Sequence, residues 1–114
     1  MPRDEATLLD IAKAARLAVS FVAGIKQEDF SGDVKTQSAV LHQLLLVGEA
    51  VKRLSADFKS RHPGVPWKML SGMRDKLIHE YDVVDLREVW RTMESDVPAL
   101  EVSLEPLLPR QDGK

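Results

Sequence analysis

Apolar positions recur along this chain at three- and four-residue steps, the period of helices that bury one face. In the first stretch Leu8, Ile11, Ala12, Ala15, Ala18, Val19 and Val22 keep that spacing. Asp4 or Thr7 stands where an N-cap belongs, Asp10 follows Thr7 by three residues in a capping-box-like arrangement, and Gly24 supplies a stop. Gln27 to Gly32 reads as a short connection anchored by Phe30. Asp33 then caps a second long helix running to about Leu54, in which Val40, Leu41, Leu44, Val47, Val51 and Leu54 share one broad face. Leu45, Leu46, Ala39 and Ala50 widen the apolar surface past a single stripe. Such a helix is either central in a bundle or shared with a second subunit. Its remaining polar strip holds Ser38, His42 and Glu49, and reads first as an ordinary solvated face, with one wall of a cleft as the functional alternative.

Farther on, Ser55 caps a short helix through Arg61. His62-Pro63-Gly64-Val65-Pro66-Trp67 forms a rigid elbow, with Pro66 suited to open the next helix and Trp67 to plug the elbow into the core. That helix extends to about Glu80. Asp82 or Asp85 caps a last long helix, where Leu86, Val89, Trp90, Met93, Val97, Leu100, Leu104 and Leu107 repeat. Pro98 falls inside the repeat, so it either kinks this helix or starts a new one capped by Ser95 or Asp96. The pattern predicts an all-α single domain over residues 1–108, followed by a polar, disordered tail over 109–114.

Composition narrows the chemistry. With 114 residues the chain can bury a core without staples, and with no cysteine it has neither disulfides nor thiolate metal sites. The acidic, polar start is not a signal peptide, and no apolar run approaches the roughly 18 residues of a membrane span; a cytoplasmic location is the expectation. The three histidines, 42, 62 and 79, lack zinc spacing. No glycine-rich phosphate loop or Ser-His-Asp order is present. The formal net charge is −2, yet residues 52 to 76 hold seven Lys or Arg against two Asp. This window could draw a polyanion, with Arg53, Lys68 and Lys76 as candidate contacts, or it could be ordinary solvated helix surface.

The window ends in Arg74-Asp75-Lys76-Leu77-Ile78-His79-Glu80-Tyr81, which gathers an arginine, a histidine and the chain's single tyrosine. On one regular helix Arg74 borders the buried face formed by Met69, Leu70, Met73 and Leu77, and His79 points about 140° away from it. The two cannot meet over one small ligand unless the helix ends before His79 or a second copy completes the site. Asp75 lies four residues before His79, where it can pair with the imidazole. Gly72 falls on the His79 side and leaves room there for another backbone or a ligand. Metal-free RNA cleavage needs a proton taken from the 2′-hydroxyl, one given to the 5′-oxygen, and charge stabilisation on the phosphate. Histidine and arginine supply these functions. The bland alternative makes Arg74 a surface salt-bridge partner and His79 a C-terminal helix cation.

Arg74, four residues, then His79-Glu80-Tyr81 resembles the R-x4-H-x-Y motif of HEPN domains, specifically the HepT-like toxins. Val47-Gly48-Glu49-Ala50, the Pro63 to Trp67 elbow, Gly72 to Asp75, Val84-Asp85 and Val89-Trp90 support the likeness, which spans about residues 4 to 107. Leu41-His42-Gln43-Leu44-Leu45 departs from the arginine and glutamate common in relatives. The resemblance implies an up-and-down, HEPN-type bundle of about four to five helices that forms a homodimer with its motifs facing across a cleft. It implies a metal-independent ribonuclease, the toxin of a toxin–antitoxin pair, acting on RNA such as tRNA or mRNA without a cofactor. Arg74 would contact phosphate and His79 act as acid or base, with Asp75, Glu49 and His42 in support. An MntA-like nucleotidyltransferase antitoxin would adenylylate Tyr81. Two further readings stay open: a non-catalytic, nucleotide-binding or regulatory partner of such a transferase, and a structural dimerisation module.

Overall fold

The helical period of the sequence is realised in the computed structural model, which describes residues 2–79 and 83–109. Helix α1 (Pro2–Val22) is followed by a single short turn of helix, α2 (Gln27–Ser31), and then by α3 (Val34–Arg53). A short α4 (Ala56–Arg61) and the elbow lead into α5 (Trp67–His79). The chain closes with α6 (Leu86–Arg91), a π-helical turn (Thr92–Asp96), α7 (Val97–Leu104) and a 3-10 turn (Glu105–Leu107). The described residues contain no strand, and no helix among them is long and apolar enough to cross a membrane.

Helix α3 lies at the centre, packed on α1 along one side and α5 along another. Its wide apolar surface is thereby accounted for. Val40, Leu41, Leu44, Val47, Ala50 and Val51 are buried, and Leu46 alone of its leucines is exposed. Of the two readings, central in a bundle or shared with a second subunit, the packing on both α1 and α5 supports the first within the single chain. The expected connection at Gln27–Gly32 is itself helical, because Phe30, fully buried against Trp90 at 5.3 Å between ring centroids, fixes it to the core.

The caps divide into those set locally and those set at a distance. Asp33 caps α3 as expected, accepting from the Thr36 amide at 3.1 Å and the Thr36 hydroxyl at 2.6 Å. Ser55 Oγ accepts from the Phe58 amide at 3.0 Å and so caps α4. Asp85 accepts from the Arg87 amide at 3.0 Å at the start of α6; Asp82 lies outside the described residues. For α1 the expectation fails. The helix begins at Pro2, so Thr7 sits inside it and donates to the Arg3 carbonyl at 3.0 Å, while Asp10 pairs with Arg53 at 3.5 Å. Asp4 is buried and reaches across the fold: its carboxylate accepts from the Ser55 amide at 3.0 Å and the Ser55 hydroxyl at 2.8 Å. These two bonds favour the ionised form and hold the Asp4 carboxyl below the usual range.

Gly24 adopts φ +79° where α1 stops, the left-handed conformation that a C-terminal glycine allows. At the elbow, Trp67 is buried, donates its indole N–H to the His62 carbonyl at 2.9 Å, and stands 6.0 Å from the Phe58 ring. Pro66 is the cap residue of α5 rather than its first, its carbonyl accepting from the Leu70 amide at 3.1 Å. Neither Ser95 nor Asp96 caps a new helix before Pro98. The π turn immediately upstream widens the ladder at the place where proline lacks a donor and its ring would crowd the preceding turn, so the backbone stays right-handed helical throughout.

Candidate active site

The site is built where α3 and α5 cross. Gly48 is the contact point: a Cβ added there would overlap Arg74 Cβ and lie 2.9 Å from the Leu70 carbonyl oxygen. Only a residue without a side chain lets the two helices approach this closely. The next residue, Glu49, is thereby set beside Arg74, whose Nε donates to Glu49 Oε1 at 2.7 Å. Arg74 Nη1 donates to Asp75 Oδ1 at 3.0 Å. Lys52, one turn along α3 from Gly48, places Nζ 3.0 Å from Asp75 Oδ1 and 3.1 Å from Oδ2.

Two cations and two carboxylates thus alternate along the crossing. Hydrogen bonds to Asp75 and Glu49 hold the Arg74 guanidinium even more firmly charged than usual. Lys52, and then Arg74, hold the Asp75 carboxyl below the usual range. About a quarter of the Arg74 side chain (27%) remains exposed, which keeps it within reach of a ligand. No hydrogen bond among the described residues engages its Nη2.

His79 is elsewhere. Helix α5 stays helical through His79, so the chain does not end its helix in time to swing the imidazole back. His79 is exposed and forms no hydrogen bond or ion pair among the described residues. Asp75 does not pair with it, because Lys52 and Arg74 already occupy that carboxylate. Lys68, Gly72 and His79 form an exposed row on α5, and Asp75, half-buried where it meets Lys52, lies along the edge of that row, all four within about 60° of azimuth. A Cβ at Gly72 would meet nothing within 4 Å, so the row is open there.

The other candidate residues fall in three groups. His42 is exposed two turns from Glu49, about 10 Å along α3, outside the Arg74 cluster. Tyr81 lies outside the described residues. Of the basic window, Arg53 pairs with Asp10 at 3.5 Å, Arg61 with Asp57 at 3.2 Å and Lys76 with Glu88 at 3.0 Å. Lys68 alone among Arg53, Lys68 and Lys76 has no carboxylate partner among the described residues. A small apolar cleft of about 60 Å³, lined by Leu44, Met73, Leu77, Val84 and Val89, lies under α5 without including Arg74 or His79. No group of three or more His, Asp or Glu among the described residues could hold a metal ion.

Residues 11–107 match the family model described as Ribonuclease HepT-like. The chain belongs to the HepT-like family. A protein of Thermococcus cleftensis named "Probable ribonuclease HepT" is 47% identical over 100 residues, covering 88% of this chain and 91% of that one. A "Putative RNase" of Caldanaerobacter subterraneus is 40% identical over 101 residues, covering 89% and 90%. Another of Methanocaldococcus jannaschii is 34% identical over 116 residues, covering 100% and 96%. No solved structure matches the chain.

Within this HepT-like helical fold the arginine and histidine of the motif are presented separately. Arg74 is a rigid, orientated cation, suited to an anionic oxygen arriving at its free edge. His79 is an exposed imidazole, a group suited to proton transfer. Sequence reasoning quoted Gly48 only within the family likeness and Lys52 only within the basic window, and missed the place of each in the site. Gly48 carried a signal, since a glycine inside a long apolar helix costs about 1 kcal/mol relative to alanine and so needs a packing reason. Lys52 carried none, because nothing in its spacing from Asp75 reveals that α3 and α5 cross.

Proposed function

We propose that this HepT-like chain cleaves RNA without a metal ion at a site completed by a second copy, with Arg74 holding the phosphate and His79 transferring protons. The observation that carries the reading is the divergence of Arg74 and His79 on one continuous helix, which leaves each chain with two separated halves of the required chemistry. Pairing two chains across the exposed row of α5 supplies an arginine from one to a histidine from the other, and the open place at Gly72 admits the close approach. Cleavage then needs the 2′-hydroxyl proton to pass to an imidazole while the 5′-oxygen takes one from an imidazolium. The guanidinium stabilises the phosphorane charge. Family membership and the names of the relatives support the ribonuclease assignment.

The same reading makes the chain the toxin of a toxin–antitoxin pair, silenced by an MntA-like nucleotidyltransferase that places an adenylyl group on Tyr81. An anionic adduct two residues beyond His79 would repel and block an incoming RNA phosphate. The decisive experiment incubates the purified protein with total RNA in EDTA, beside His79→Ala. Cleavage by the wild type and none by the variant, at equal dimer content, is the expected result. A monomer that cleaves, or a His79→Ala protein that cleaves as well as wild type, would overturn the reading. Tight binding of the transferase by a dimer that leaves RNA intact would instead mark a regulatory subunit.

A further inference from the structure

Arg74 is bound by two carboxylates, Glu49 and Asp75. Alone, those three side chains sum to one negative charge, a poor reception for a phosphodiester. Lys52 corrects this. Its ammonium lies at 3.0 and 3.1 Å from the two Asp75 oxygens, and Asp75 Oδ1 is shared between Lys52 and Arg74 at 3.0 Å each. The four groups together are neutral. We propose that Lys52 is a positioning residue for RNA binding: it holds the Asp75 carboxylate, so that Arg74 Nη1 can leave Asp75 for a phosphate oxygen.

The exchange is local. When a phosphate arrives, Arg74 keeps its Nε bond to Glu49, which fixes the plane of the guanidinium. Nη1 and Nη2 then present a two-pronged edge to the phosphate. Asp75 loses one donor and keeps the other, so no carboxylate is left without a cation. The Lys52 and Asp75 side chains are 41% and 46% exposed, which lets the pair adjust without unfolding anything. Ion pairs this exposed contribute little to stability. The physical effect of Lys52 therefore falls on what the cluster attracts rather than on whether the chain folds.

This inference rests on the proposed cleavage at Arg74, and its test separates the two. Steady-state cleavage of a short RNA is measured in EDTA for wild type, Lys52→Met, Lys52→Arg and the double variant Lys52→Met with Asp75→Asn. Lys52→Met should raise KM about tenfold at low salt with kcat changed less than about twofold, and the defect should shrink as ionic strength rises. Lys52→Arg should restore KM. The double variant, again neutral, should recover most of the loss. An unfolded Lys52→Met protein by circular dichroism, or one with wild-type KM at low salt, would overturn the inference. So would a defect untouched by both salt and the second substitution. A wild-type protein that leaves RNA intact would instead overturn the cleavage reading itself.

Discussion

Two places on α5, the middle and the C-terminal end, are built on opposite plans. Around Arg74 the chain spends a glycine, two carboxylates and a lysine on holding one guanidinium, and a methyl group added at Gly48 would already collide. Around His79, just over one turn farther, there is no partner among the described residues, and the side chain is exposed. The guanidinium is satisfied within the chain, whereas the imidazole has no partner among the described residues.

The strongest way to break that contrast is His79→Ala. The variant should lower RNA cleavage by 10²- to 10⁴-fold, the usual weight of a general acid or base, and shift unfolding free energy by no more than about 0.5 kcal/mol. Cleavage assays beside urea unfolding check both halves, and a large loss of stability would show His79 to be structural after all. Gly48→Ala should act in reverse order. Overpacking the helix crossing should cost on the order of 1–3 kcal/mol in urea unfolding, and activity should fall because Arg74 is displaced with it. An unchanged midpoint would mean that α3 and α5 are not this close.

Gly72→Ala sharpens the contrast on the open side. With nothing within 4 Å of the added methyl, the single chain should gain about 0.5–1 kcal/mol from helix propensity, read by thermal unfolding at low protein concentration. Dimer formation, read by analytical ultracentrifugation, should weaken. A gain in both would exclude this face from the pairing surface. The smallest effect is expected far from the site, at Asp4. Its carboxyl is held below its unfolded value by Ser55, so its stabilising effect is present above the unfolded pKa and is lost as pH falls through the folded one. Asp4→Asn should lower the melting temperature at neutral pH and flatten the acid limb below about pH 4. Parallel acid limbs for variant and wild type would show that Asp4 does not titrate with folding.

Elements governed by neighbours in sequence were readable in advance. Asp33 and Ser55 cap the helices they precede, and Trp67 fills the elbow it follows, because each acts on residues three to five positions away. What stayed hidden depends on contacts between distant segments. Asp4 looks like a helix cap until Ser55 is seen beside it. The basic window looks like a patch until Asp10, Glu49 and Glu88, all from outside the window, are found neutralising much of it. The motif was legible as a pattern, and its divergence followed from helix geometry alone. The grip on Arg74 required knowing which faces of α3 and α5 meet.

The bond from Asp4 to Ser55 also has a kinetic consequence. It joins positions 51 apart in the chain, whereas the cap that Ser55 provides to α4 closes over three residues. The local cap is available as soon as α4 forms, but the tether exists only after α1 has docked along α3, when the entropy of closing the long loop has been met. Interactions completed that late govern how fast a native chain comes apart more than how fast it assembles. The first turn of α1 is thus placed to act as a latch on the α3–α4 junction, and Asp4→Asn is expected to speed unfolding more than it slows folding.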